Sequence, residues 1–387
     1  MRILFIHEVD YENKPVFEMH EFPELLALRG HEVFFLDFTE ESLPKDKGFK
    51  SEIFMRARLS SDARVRAFHQ IPLAPGLLGR LFGAVASFRS IRRAIALSNP
   101  EVVVTFAVPT MGWQAALICR RSRMPLVYRA LDVSHLIRKT RLSFLVRLSE
   151  AYLCRAASHV SANNAALLKH CESLAKRAIE GTVDFPPLAI DKFQPHPRYS
   201  STLRPASIVY MGSFFYFSGL DRLLTHFAKL EEDGTTLTLI GGGEQDTYLR
   251  GIVDDMGLHK RVTFRGFVDF EQLPQELSKH RVAINPMLSS DVSNLAFPNK
   301  VIQYMASGLP VVTTKLSGLV GTFGPEAPLA WTSSPEETLE VALELVRDGD
   351  RCDQMSQDSF NLLGSRFEPT IAVAKFESML ERVGNAT

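Results

Sequence analysis

The sequence predicts an α/β protein built from two doubly wound domains. Three observations carry that reading. Strand-like runs alternate with helix-like stretches along the chain, the rhythm is interrupted once near the middle, and 387 residues are too many for one ordinary domain.

In the first half, RILFIH (2–7) reads as a strand, EMHEFPELLALRG (18–30) as a helix closed by Gly30, and HEVFFLDF (31–38) as the next strand. EVVVTFA (101–107) is an unbroken β-branched run, the pattern of a parallel strand covered on both faces; PLVYRALD (125–132) and ASHVSAN (157–163) follow it. Residues 180–206 are rich in proline and polar groups and have no period, so they read as a linker. The second half restarts the rhythm with strands at 207–214, 236–243, 261–268, 282–288 and 310–314, separated by helices. The expected domains are 1–188 and 189–365, with a C-terminal helix in 366–387 that can return to the first. Ligands of open α/β sheets bind beyond the carboxyl ends of the strands, which predicts a site in a deep cleft between two such domains.

Net charge is zero, so nothing draws the chain to nucleic acid. Cys119, Cys154, Cys171 and Cys352 form no C-x-x-C pair and no zinc-type spacing with histidine; they read as reduced, packed thiols of a cytoplasmic protein. The apolar run in MRILFIHEV is too short for a signal peptide, and no stretch of 18 apolar residues predicts a membrane span. Charge is uneven, however. Residues 53–147 hold 16 Lys/Arg against Asp62, Glu101 and Asp132. Within them, 77–97 places Leu78, Leu81, Val85, Phe88, Ile91 and Ile95 on one helical stripe, flanked by Arg80, Arg89, Arg92 and Arg93. Two readings stand: a core-packed helix with a solvated basic face, or a contact with a membrane surface or an anionic acceptor.

Three stretches of the second half carry chemistry. YMGSFFYFSGL (210–220) puts Gly212, Ser213 and Phe214 at the end of a strand, where backbone N–H suits a phosphate; a plain turn is the alternative. LIGGGEQD (239–246) holds Gly242 in a strand-to-helix turn but lacks the third spaced glycine of a dinucleotide fingerprint. AFPNKVIQYMASGLPVVTT (296–314) opens a helix with Pro298, Asn299 and Lys300 and adds Gln303 and Tyr304 one turn on. A lysine at the positive end of a helix suits a diphosphate. In the first half Asp132 ends a strand, where a carboxylate either takes a proton from an attacking hydroxyl or caps the following helix. His7, Glu8 and His20 lie near strand ends or first turns, as acceptor contacts or as packed groups. No Asp-x-Asp motif sits at a strand end, so no metal is expected.

PNKVIQYMASGLPVVTT, with IVYMGSF, TLIGGGE, VTFRGFV and AINPM in this order, resembles the nucleotide-binding half of GT-B glycosyltransferases, broadly family 4. The resemblance implies two Rossmann-like domains, with a nucleotide-sugar donor at Gly212, Ser213, Phe214, Gly242, Asn299, Lys300, Gln303 and Tyr304, and an acceptor near His7, Glu8 and His20. The Glu-x7-Glu of family 4 is replaced by Leu295 and Gln303, and two basic residues by Ser213 and Ser218, which leaves Lys300 as the cation. Gly-Ser after the strand, Lys-x-x-Gln-Tyr in the helix, His20 upstream of LALRG, and LVYRALD are similar to the xanthan-type glucuronosyltransferases of family 70. That implies inversion with Asp132 as general base; Leu131 stands where retaining family 4 enzymes often have histidine. It further implies a UDP-sugar co-substrate, UDP-glucuronate among them, with no other cofactor. The acceptor would be lipid-linked or a saccharide in surface polysaccharide synthesis, with the basic N-domain peripheral at the inner face of a membrane. Arg265 and Lys315 are the cations open to a donor carboxylate. The competing readings are a retaining family 4-like transferase, a non-catalytic nucleotide-sugar-binding scaffold, and an oxidoreductase, which the incomplete glycine motif disfavours.

Overall fold

In the computed structural model, residues 1–39, 48–51, 54–72, 76–137, 143–188, 190–193, 200, 203–231, 234–297 and 299–386 are described. Pro298 and the side chain of Leu78 lie outside them. The first half supplies β1 (Arg2–Ile6), α1 (Glu18–Leu28), β2 (Glu32–Phe38), β3 (Gly48–Ser51), β4 (Val65–Ile71), α2 (Gly76–Ser98), β5 (Val102–Thr105), α3 (Gly112–Ser122), β6 (Leu126–Ala130), α4 (Ser134–Ile137), α5 (Ser143–Ala156), β7 (His159–Ala162), α6 (Ala165–Ala175) and β8 (Gly181–Val183). Its sheet runs β3-β4-β2-β1-β5-β6-β7-β8 and is parallel apart from β3, which is antiparallel to β4. The apolar β-branched runs take the middle of the sheet: Ile3 to Ile6 and Val102 to Val104 are fully buried, as strands covered on both faces must be. The stretch read as linker begins with β8, which adds the last strand beside β7. Three residues were too few to show a period among so many turn formers.

The second half supplies β9 (Ser207–Ser213), α7 (Leu220–Phe227), β10 (Thr236–Gly242), α8 (Asp246–Asp255), β11 (Val262–Gly266), α9 (Leu273–Leu277), β12 (Val282–Asn285), α10 (Asp291–Leu295), α11 (Asn299–Ala306), β13 (Val311–Thr314), α12 (Ser317–Phe323), β14 (Leu329–Thr332), α13 (Pro335–Arg347), α14 (Gly349–Arg366) and α15 (Pro369–Asn385). Its six strands are all parallel, in the order β11-β10-β9-β12-β13-β14. The chain divides into two units, Leu188–Glu368 and the rest, so α15 belongs with the first half. Phe376 of α15 stacks on Phe22 of α1 with ring centroids 4.1 Å apart, and Glu377 accepts from Arg29 and His31.

The helix at 76–98 does not pack as its stripe suggested. Leu81 is 53% and Val85 73% exposed, whereas Gly83, Ser87, Ser90, Ile91 and Ala94 are turned inward. Small residues let α2 lie close over the sheet: a Cβ on Gly83 would sit 2.5 Å from the Phe38 ring, and Ser87 Oγ donates to Gly83 O at 2.7 Å. No helix among the described residues is long and apolar enough to cross a membrane. All four cysteines are buried, and none forms a disulfide among the described residues.

Candidate functional site

The strand order of the second sheet reverses between β9 and β12, and β9 ends there in Gly212 and Ser213. The backbone at this point admits nothing larger than glycine. Gly212 has φ +140°, and a Cβ on Gly241 (φ +118°) would fall 2.2 Å from Gly212 O. The gap left over Gly212 is filled by Lys300: a Cβ there would lie 3.0 Å from Lys300 Nζ.

Lys300 is the second residue of α11, behind Asn299. Its ammonium donates to Tyr210 Oη at 3.1 Å and lies 4.2 Å from the centre of the Tyr210 ring. Among the described residues no carboxylate pairs with it. Burial without a counter-charge pulls its pKa down from the usual 10.5 to about 7. Asn299 Oδ1 beside it is buried without a hydrogen-bond partner. Gln303 is partly buried one turn further along α11.

Two of the residues assigned to the donor are supports. Tyr304 is fully buried and its hydroxyl accepts from Met211 N, which ties α11 to β9. Phe214 is fully buried, and its N–H is spent on Gly242 O at 2.9 Å. Both side chains are thus turned into the core, with the Tyr304 hydroxyl and the Phe214 N–H already hydrogen-bonded. Ser213 is exposed. Of the two cations considered for a donor carboxylate, Arg265 is held by Glu276 at 3.2 Å, and Lys315 is exposed.

The first sheet reverses between β1 and β5. A cavity of about 230 Å³ opens there, lined by His7 and Glu8 after β1, Phe106 and Val108 after β5, and Asp132 and Ser134 after β6, with Lys14, Phe17 and Tyr128 closing it. His7 Nδ1 accepts from Glu8 N at 2.9 Å, and Glu8 Oε2 from Thr110 N at 2.7 Å, so both side chains are oriented by backbone. Asp132 is exposed, and Ser134 Oγ donates to its Oδ1 at 3.1 Å. His20 does not join this group. It is fully buried in α1, where its Nδ1 accepts from Phe17 N at 3.2 Å and its Nε2 lies 2.7 Å from Tyr11 O. Burial lowers its pKa to about 4, so it is a neutral packing and capping group rather than an acceptor contact.

Beneath the cavity lies a polar network that sequence reasoning passed over. Arg129 is fully buried in β6; it pairs with Glu18, donates to Ser161 Oγ at 2.9 Å, and faces the rings of Phe22 and Phe376. The signal was present: a charged residue inside an apolar strand needs a buried partner.

Two parallel α/β domains, each with its site residues at the strand-order reversal, define the GT-B class. The family model "Glycosyl transferase 4-like domain" matches residues 19–178, and "Glycosyl transferases group 1" matches residues 205–348. Each model covers less than half of the chain, and together they make each domain similar to the corresponding glycosyltransferase domain. It is 26% identical over 125 residues to an uncharacterized glycosyltransferase of Methanocaldococcus jannaschii, covering 32% of this chain and 31% of that one. It is 26% identical over 195 residues to a GDP-mannose-dependent alpha-(1-6)-phosphatidylinositol monomannoside mannosyltransferase of Mycobacterium tuberculosis, covering 47% and 46%. The matches therefore span less than half of either relative. Among solved structures, Anabaena HepE in complex with UDP shares the fold, with a TM-score of 0.73 at 18% identity over 99% of this chain and 100% of that one.

Proposed function

We propose that the protein transfers a sugar from a UDP-linked donor to a lipid-linked or saccharide acceptor in surface polysaccharide synthesis, with inversion and with Asp132 as general base. The observation that carries the reading is Lys300. It is desolvated, has no acidic partner among the described residues, and sits over the glycine backbone where the second sheet reverses. A diphosphate supplies the missing charge. Lys300 would bind it as the cation, Gln303 and the Ser213 edge would hold its oxygens, and the leaving diphosphate would be stabilised as charge develops on it. Asp132, exposed at the cavity of the first sheet, would take the proton of the attacking hydroxyl, with Glu8 and His7 orienting the acceptor.

UDP as the nucleotide is supported by the HepE complex; the mycobacterial relative, named for GDP-mannose, makes GDP the alternative. Glucuronate rests on the family 70 resemblance, with exposed Lys315 as the cation left for its carboxylate. A peripheral place at the inner membrane face rests on the basic first domain. Calorimetry with UDP, UDP-glucose, UDP-glucuronate and GDP-mannose on wild type and Lys300→Met tests the donor. Binding of one nucleotide that weakens in the variant supports the reading. Equal affinity in both proteins, or no binding by wild type, removes it.

A further inference from the structure

His135, Glu150 and His170 stand far apart in sequence and on three different helices, α4, α5 and α6. The fold brings one ligand atom of each within 4.8 Å of the others. His135 Nδ1 is 2.6 Å from Glu150 Oε2, and the two imidazole rings lie nearly parallel, 15° apart with centroids 5.7 Å from each other. Two acceptor-capable atoms are left over. Glu150 is fully buried, yet its Oε1 has no hydrogen-bond partner, and His170 Nε2 is also buried without one. Orphaned buried polar atoms are rare in folded proteins, and two on residues of one such cluster call for an occupant.

The geometry points to a divalent transition-metal site, for which we propose zinc, held by His135, Glu150 and His170. Two imidazoles and a carboxylate are a ligand set for that ion. Ligand atoms on a tetrahedral zinc lie roughly 3.3 Å apart, given bonds of about 2.0 Å, so side-chain adjustments of an ångström or so close the set. The ion would have no part in the donor chemistry. It would staple α4 to α5 and α6, and α4 begins two residues after Asp132. The three histidine and glutamate ligands would thus act as positioning residues for the segment that carries Asp132.

The test uses the full chain without a histidine tag, stripped with EDTA and dialysed. Zinc titrated against a chromophoric competitor is expected to bind at one equivalent, and Co²⁺ is expected to give the visible absorption of a tetrahedral site. His170→Gln, at a partly exposed position, and Glu150→Gln are each expected to weaken zinc by at least ~10-fold. His259→Gln, an exposed histidine of the second domain, leaves binding unchanged. Absence of a stoichiometric equivalent in wild type overturns the proposal, as does unchanged zinc affinity in folded His170→Gln. The first of these results would make the cluster an ion pair with a stacked histidine. None of these readouts depends on transferase activity, so the proposal stands or falls apart from the proposed function.

Discussion

The two domains share a topology and differ in the charge they gather where it reverses. In the first, that point is a cavity with carboxylates, Glu8 and Asp132, over a buried Arg129–Glu18 pair. In the second it is glycine backbone with a single desolvated lysine. Under the proposed function, the contrast is how one architecture would divide a reaction. The end with carboxylates can accept a proton, and the end with a cation can hold an anion. The strand order supplies the place, and a few loop residues decide the chemistry.

The largest effect expected is at Asp132. Asp132→Asn keeps the shape and removes the base, and turnover should fall on the order of 10²–10⁴-fold while UDP binding, measured by calorimetry, stays at its wild-type value. Loss of UDP binding in that variant would dissolve the division between the domains. Next comes the scaffold of the first domain. Phe376→Ala removes the ring stacked on Phe22 and lying over Arg129, and should cost about 3–5 kcal/mol in denaturant unfolding. An unchanged midpoint would show that α15 is dispensable to that domain.

The sharpest separation comes from Lys300→Met. It should weaken UDP by about 10- to 100-fold, the value of a charge-assisted contact, while the unliganded protein becomes no less stable. A buried cation with no counter-charge among the described residues is a cost to the fold, so a variant that loses both binding and stability would mean that Lys300 is structural. The same residue gives a pH dependence. Its folded pKa, about 7, lies below its unfolded value of 10.5. It therefore opposes folding most below pH 7, and that penalty disappears as pH rises toward 10.5. Nucleotide binding restores the charge. Affinity should accordingly be flat below pH 7 and fall above it, by up to about tenfold per pH unit, with a proton taken up on binding. A flat profile from pH 7 to 9 would take Lys300 out of the site. The smallest effect is at Tyr304. Tyr304→Phe loses the bond to Met211 N and should cost about 1–3 kcal/mol of stability with little change in nucleotide affinity, since the ring keeps its place.

The candidate site could be proposed from local sequence because its parts are local. Gly212, Ser213 and Lys300 announce themselves as glycine and charge at strand ends and helix starts. Asp132 and Glu8 do so by following apolar strands. What misled was side-chain direction. Tyr304 and Phe214 sit in the right segments and face the core, and His20 turns back to its own helix start. Along α2 the apolar stripe left two readings open; Ile91 of it is buried while Leu81 and Val85 are exposed, and the small residues Gly83, Ser87 and Ser90 let the helix approach the sheet.

By itself the sequence determined the two-domain α/β order, because alternating strand and helix periods are a property of neighbouring residues. It also determined which segments end at the sites. Only the tertiary structure decided which of those residues lose water and what they meet when they do. The depressed pKa of Lys300 needs β9 packed against α11. The company of Arg129 needs α1, β7 and α15 around one strand. His135, Glu150 and His170 have no spacing that a motif could capture, since three helices laid side by side put them together. Desolvation and convergence belong to packing, which linear order does not encode locally.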